Sequence, residues 1–132
     1  MNVVDTDLLI DFLAGRDPGA ERVAAELERG GLATTAINRF ELLAGARGRR
    51  QERTVRELLE ALVTLPLDQE GADEAADIRR SLESAGIGIG MGDSLIAGIV
   101  RSRHAVLLTR NRRHFDRVEG LELSLLPTAT ND

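Results

Sequence analysis

Short apolar runs that end in polar residues, each followed at once by an amphipathic stretch, constrain this chain more than any other feature. NVVD at 2–5, LATT at 32–35, TLPL at 64–67, AVLLT at 105–109 and LELSLLP at 121–127 are too short for helices and read as strands. Between them apolar residues recur at helical spacing. Leu8, Leu9, Phe12 and Leu13 mark a helix capped by Thr6 or Asp7 and stopped near Gly15. Asp17-Pro18-Gly19 opens a second, with Val23, Ala24 and Leu27 as its stripe. Ile37, Phe40, Leu43 and Ala44 define a third, and Val55, Leu58, Leu59 and Leu62 a fourth over residues 50–62. Ala72, Ala75, Ala76, Ile78 and Leu82 stripe residues 70–84, and Leu95, Ile96, Ile99 and Val100 follow the glycine-rich GIGIGMGD at 86–93. NRRHF reads as a short helical turn. This alternation predicts an α/β fold with a mostly parallel central sheet of four to five strands, flanked by helices on both faces. AVLLT, apolar throughout, suits an interior strand, whereas Pro66 puts TLPL at an edge or strand end. The pattern predicts a single domain over residues 1–127, with 128–132 as a frayed tail.

Composition narrows the chemistry. With no cysteine there is no disulfide framework, thiol nucleophile or thiolate metal site, and two histidines, His104 and His114, argue against a histidine-rich zinc site. No apolar run is long enough to span a bilayer, and the acidic opening segment does not resemble a secretory signal, which together predict a cytoplasmic protein. The net charge of −5 excludes diffuse coating of nucleic acid. All 17 basic residues are arginines, which excludes lysine chemistry and favours planar, two-pronged contacts to phosphate.

In open α/β sheets ligands bind beyond the carboxyl ends of the strands, and the notable polar residues fall there. Asp5 ends the first run, Thr34 and Thr35 the second, and Thr109 with Asn111 the run 105–109. Asp93 opens a helix, and Glu41 borders an apolar stripe. Carboxylates gathered without lysine or histidine repel one another and need a counter-cation, and hard oxygen donors select Mg2+, with Mn2+ possible, over zinc. Arg110, Arg112 and Arg113 crowd the same rim as a phosphodiester clamp. Each residue also has a plainer reading. Asp5 can be a solvated strand end, Asp93 a helix cap, Glu41 a half-packed edge residue, Asn111 a turn residue, and the arginines a solvated face.

Four segments in order resemble the PIN-domain family, and within it the VapC-type bacterial toxins: NVVDTDLLIDFL, TTAINRFELLAGA, IGMGDSLIAGIV and LLTRNRRHFDRVEGLEL. The likeness runs from about residue 2 to residue 127 and implies a PIN-like sheet and a Mg2+-dependent endoribonuclease. It also implies a VapB-like antitoxin partner that covers the active site. The family's acidic cluster carries over as Asp5, Glu41 and Asp93, with Asn111 where the family often has aspartate. Asn111 can still hold a water through its carbonyl but removes one negative charge, and Asp116 lies close enough in sequence to substitute. Thr6 matches the hydroxyl residue that follows the first aspartate, while Asp7 is assigned no role. In the mechanism this implies, Asp5 and Asp93 hold the cation and Glu41 orients a water as general base. In-line hydrolysis then leaves a 5′-phosphate and a 3′-hydroxyl. Arg110, Arg112 and Arg113, with Thr6, contact the RNA. The surplus amphipathic surface near residues 18–29 and 50–62 suits an antitoxin helix or a homodimer.

Rival readings exist. VVDTD resembles the first motif of haloacid-dehalogenase-like phosphatases, and a phosphate-accepting receiver domain shares the size and the acidic rim, but both are weakened by the missing lysine. A non-catalytic PIN module that only binds RNA or antitoxin is the third, suggested by Asn111.

Overall fold

The computed structural model describes residues 1–126 and carries five parallel strands in the order β3-β2-β1-β4-β5. Along the chain these are β1 (Asn2–Val4), α1 (Thr6–Ala14), α2 (Gly19–Arg29), β2 (Ala33–Thr35), α3 (Ala36–Gly45) and α4 (Gly48–Glu60). Then come β3 (Val63–Leu65), α5 (Gln69–Ser84), α6 (Met91–Ser102), β4 (Val106–Thr109), α7 (Arg112–Phe115) and β5 (Glu122–Leu125). The α/β expectation holds and the sheet is wholly parallel. The expected tail at 128–132 lies outside the described residues. No helix among those described is long and apolar enough to cross a membrane.

Alternation along each strand splits the core into two layers. Val3, Ala33 and Leu107 face α5, α6 and Phe115, whereas Val4 and Leu108 face Leu8, Leu9, Val23 and the α4 residues Val55, Leu58 and Leu59. The chain winds outward from β1 to β3, then returns to lay β4 on the other side of β1. That reversal opens a crevice between the carboxyl ends of β1 and β4. Register fixes its occupants. Val3 pairs with Ala33 and Val4 with Leu108, so one step further along the chain Asp5 stands level with Thr35 and Thr109.

Several helix faces differ from the sequence expectation. Phe40 points to solvent at 67% exposure, and the inward residues of α3 are Asn38 and Leu42. This helix sits over the strand ends, where its buried side must meet polar groups as well as apolar ones. Ala24, Ala72 and Ala76 are exposed, and Gly19, Glu26 and Gly71 take the inward positions on α2 and α5. Alanine is too small for its placement on a helix to be decided by burial alone. Pro18 is the N-cap of α2 and not its first helical residue. Asp5, not Thr6 or Asp7, caps α1, and Asp93 lies inside the first turn of α6, whose N-cap is Gly90.

Candidate active site

Asp5, in extended conformation directly after β1, is the N-cap of α1, so strand and helix together aim its carboxylate into the crevice. It is 3% exposed. Its Oδ1 accepts from the Thr6 amide (2.9 Å) and from Asn38 Nδ2 (3.0 Å), and its Oδ2 accepts from the Thr109 hydroxyl (2.7 Å). Burial, above all, pushes its pKa up from 3.8 to about 6, aided by the charges of Asp7 and Asp93 and opposed by the Thr109 and Thr6 hydrogen bonds.

Glu41 reaches the same crevice from α3. Its Oε1 accepts from the Thr6 hydroxyl at 2.5 Å, and its Oε2 lies 3.4 Å from where a Cβ on Gly92 would stand. Asp93, the next residue, carries a charge that Asp5 feels, and its Oδ2 lies 2.7 Å from His114 Nδ1. Asp5, Glu41 and Asp93, distant in sequence, therefore converge on one rim. Each carboxylate is engaged by a protein partner, and among the described residues no three His, Cys, Asp or Glu side chains form a ready metal-binding set.

The remaining expected residues divide. Thr6 sits inside the cluster, donating to Glu41 and accepting from Asn38 Nδ2 at 2.9 Å. Asn111 precedes α7 with no side-chain cap bond, and its amide donates to the Thr109 hydroxyl (2.9 Å). Arg110 is engaged elsewhere. Its Nε and Nη2 donate to the two oxygens of buried Asp11 at 2.7 and 3.1 Å, which takes its fork away from a substrate. Arg112 stands 3.9 Å from Asp116, which accounts for that carboxylate on the surface of α7. Arg113 is exposed and borders a small cavity beside Asp93.

Sequence reasoning passed over four members of this site. Asn38 is 0% exposed and ties Asp5, Thr6 and the Thr35 cap together. The spacing Thr35-x-x-Asn38 is a capping-box signal that could have found it. Asp7 accepts from the Arg110 amide at 2.9 Å, and burial raises its pKa despite that bond. Asp11 and His114 have no sequence signal, because their partners lie 99 and 21 residues away.

Comparison with known proteins bears on the chain as a whole. The family model for the PIN domain matches residues 3–121. The chain is 30% identical over 123 residues to a tRNA(fMet)-specific endonuclease VapC of Shigella flexneri, covering 90% of this chain and 92% of that one. It is 33% identical to ribonuclease VapC19 of Mycobacterium tuberculosis, over 92% of this chain and 98% of that protein. Among solved structures, DNA-bound VapBC from Salmonella typhimurium superposes with a TM-score of 0.82 at 26% identity, covering 94% and 96% of the two chains.

Proposed function

The chain belongs to the PIN-domain family, and on that premise we propose that it is a toxin endoribonuclease of the VapC kind, dependent on Mg2+ and restrained by a VapB-like antitoxin. The observation that carries the reading is the meeting of Asp5, Glu41 and Asp93, from a strand end and two separate helices, at the reversal of the sheet. In donor chemistry the set suits a hard divalent cation, which would have to draw the three carboxylates from their present protein partners. All three residues offer oxygen, and Asp5 is buried among like charges that raise its pKa, a condition a cation relieves. Asp5 and Asp93 would hold Mg2+, or Mn2+ in its place, with Glu41 beside them.

When bound, the cation supplies charge neutralisation at the phosphate and lowers the pKa of a water. Glu41, anchored through Oε1 to Thr6, takes the proton from the attacking water, and Asn38 and Thr6 hold both carboxylates in place. Asn111, just after β4, would hold a water through its side-chain carbonyl. Water is the nucleophile, so the ribose 2′-hydroxyl takes no part; the new bond forms from the water oxygen to phosphorus, the P–O3′ bond breaks, and the products carry a 5′-phosphate and a 3′-hydroxyl.

The antitoxin site is supported by a groove of about 580 Å3 between α1, α3 and α4, with Glu41 among its lining residues. Ile10, Leu13, Leu42 and Val55 make its walls apolar, with Arg50 and Gln51 at the rim. The sequence placed this surface on residues 18–29 and 50–62; the second of these, on α4, lines the groove together with α1 and α3, and the first does not. A partner segment lying there would touch Glu41 of the acidic cluster. The surplus apolar surface also suits a homodimer, and the proposed RNA substrate is in keeping with a cytoplasmic protein.

Incubating the purified protein with total RNA, with Mg2+ or with excess chelator, tests the reading. Metal-dependent fragments with 5′-phosphates are expected, and Asp93→Asn should abolish them while leaving the melting curve intact. Full activity in that variant removes Asp93 from the mechanism. Binding without cleavage favours a non-catalytic module, and hydrolysis of small phosphate monoesters alone favours a phosphatase.

A further inference from the structure

We propose that the small cavity beside Asp93 is a phosphodiester subsite, in which Arg113 and Arg117 hold a phosphate of the RNA strand adjacent to the one cleaved. The inference rests on the ribonuclease reading and assigns the substrate's path over that site. The cavity is lined by Gly88, Gly90, Asp93, Arg113, His114 and Arg117, among others. Its volume of about 150 Å3 is below the roughly 300–1,000 Å3 of pockets that enclose drug-sized ligands, and it suits one phosphate group more than a nucleoside.

Three independent features point to an anion. First, of the four arginines between 110 and 117, Arg110 is engaged with Asp11 and Arg112 stands near Asp116. Arg113 and Arg117 form no ion pair among the described residues, and these are the two that line the cavity. Second, the carboxylate that would repel a phosphate there, Asp93, is held by His114 Nδ1 at 2.7 Å.

Third, the glycine-rich run has glycines that neither a positive φ nor a close contact requires, although Gly90 also serves as the N-cap of α6. Gly86 has a φ of +76°, which favours glycine, and a Cβ on Gly92 would stand 3.4 Å from Glu41 Oε2. Gly88 and Gly90 have neither reason. Their backbone is outside the left-handed region, and a Cβ on either would meet nothing within 4 Å. Their missing side chains instead keep the cavity open for a group that approaches the backbone. The apolar groove includes Glu41 and this cavity Asp93, and no residue lines both, so inhibitor and substrate strand would use separate surfaces beside the cluster.

The test is anisotropy of a labelled, mixed-sequence single-stranded RNA oligonucleotide, titrated in chelator over a salt series so that no cleavage intervenes. The double variant Arg113→Ala/Arg117→Ala should bind about tenfold more weakly, with a salt slope reduced by about 0.7, the value for one single-strand phosphate contact. Gly88→Val, which narrows the cavity without changing charge, should weaken binding too, and in Mg2+ should raise KM with kcat kept. Arg49→Ala/Arg53→Ala, removing equal charge from exposed positions on α4, should change binding far less. Binding by the cavity variants equal to wild type, or an equal loss in the α4 pair, overturns the subsite. If wild type cleaves RNA with Mg2+ while the cavity variants bind normally, only the subsite falls. A wild type that neither binds nor cuts overturns the ribonuclease reading and the subsite with it.

Discussion

Asp5 is held in a position that costs the fold stability so long as no cation is near. Its folded-state pKa of about 6 lies above the ordinary 3.8, so the native state binds a proton more tightly than the unfolded chain. The ionised carboxylate therefore penalises the native state by about 3 kcal/mol above pH 6, and the penalty fades as pH falls toward 4. Asp5→Asn, melted in chelator, should stabilise the protein by about 2–3 kcal/mol at neutral pH, with the gain vanishing in acid. Mg2+ should then raise the melting temperature of wild type and not of the variant. Glu26 has the opposite sign. Desolvation pushes its pKa up, but hydrogen bonds from Asn2 and Arg22 and the charges of Arg22 and Arg29 outweigh it and leave a net lowering. It stabilises the fold above its unfolded pKa and ceases to do so as pH falls through the lowered one. Glu26→Gln should cost about 1–3 kcal/mol at pH 7 in urea melts, and progressively less in acid. Neither residue's pKa is legible in the sequence, since Asp5 is buried by α1, α3 and β4 together, and Glu26 meets Asn2 across 24 residues.

Between elements, close packing decides two further positions. α5 and α6 cross where Gly98 meets Gly71 and Ala75, and a Cβ on Gly98 would fall 2.5 Å from the Gly71 carbonyl oxygen. Gly98→Ala should force the helices apart and destabilise the protein by about 1–3 kcal/mol, read as a lower denaturation midpoint with an unchanged slope. The second is the clamp between Arg110, after β4, and Asp11 on α1. A Cβ on Gly19 would stand 2.6 Å from Asp11 Oδ2, so α2 also presses on that carboxylate. Arg110→Ala leaves buried Asp11, among the described residues, with Arg16 as its one cationic partner, 3.8 Å away, and should lower stability while leaving RNA affinity close to wild type. A large loss of RNA binding without loss of stability would return Arg110 to the substrate. Helix existence was readable throughout from spacing, and helix rotation less so. On α3 the period fitted Phe40 inward, yet the polar requirement of the strand ends turned Asn38 inward instead.

Over the whole molecule, one rim of the sheet gathers the acids, with the apolar groove and the arginine-lined cavity as separate surfaces beside them. A partner that fills the groove needs its apolar wall. Leu13→Asp should therefore weaken binding of the cognate antitoxin by tenfold or more, about 1.4 kcal/mol, in a titration of the purified pair. Undiminished affinity would move the partner elsewhere. If Arg113 and Arg117 hold the RNA as proposed, the net charge of −5 and the local excess of arginine at residues 110–117 should make that binding site-specific and salt-sensitive.

Local order along the chain determined the alternation of strand and helix, the parallel sheet, and the placing of Asp5, Thr109 and Asn111 after strands. Those features depend on periodicity and turn chemistry, which act over a few residues. Tertiary structure alone decided that Glu41 and Asp93 stand beside Asp5, that Asn38 holds the cluster, and that Arg110 serves Asp11 while Arg113 and Arg117 remain available. Such assignments depend on strand order, register and helix rotation, which bring together groups separated by up to a hundred residues and are set by packing across the whole sheet.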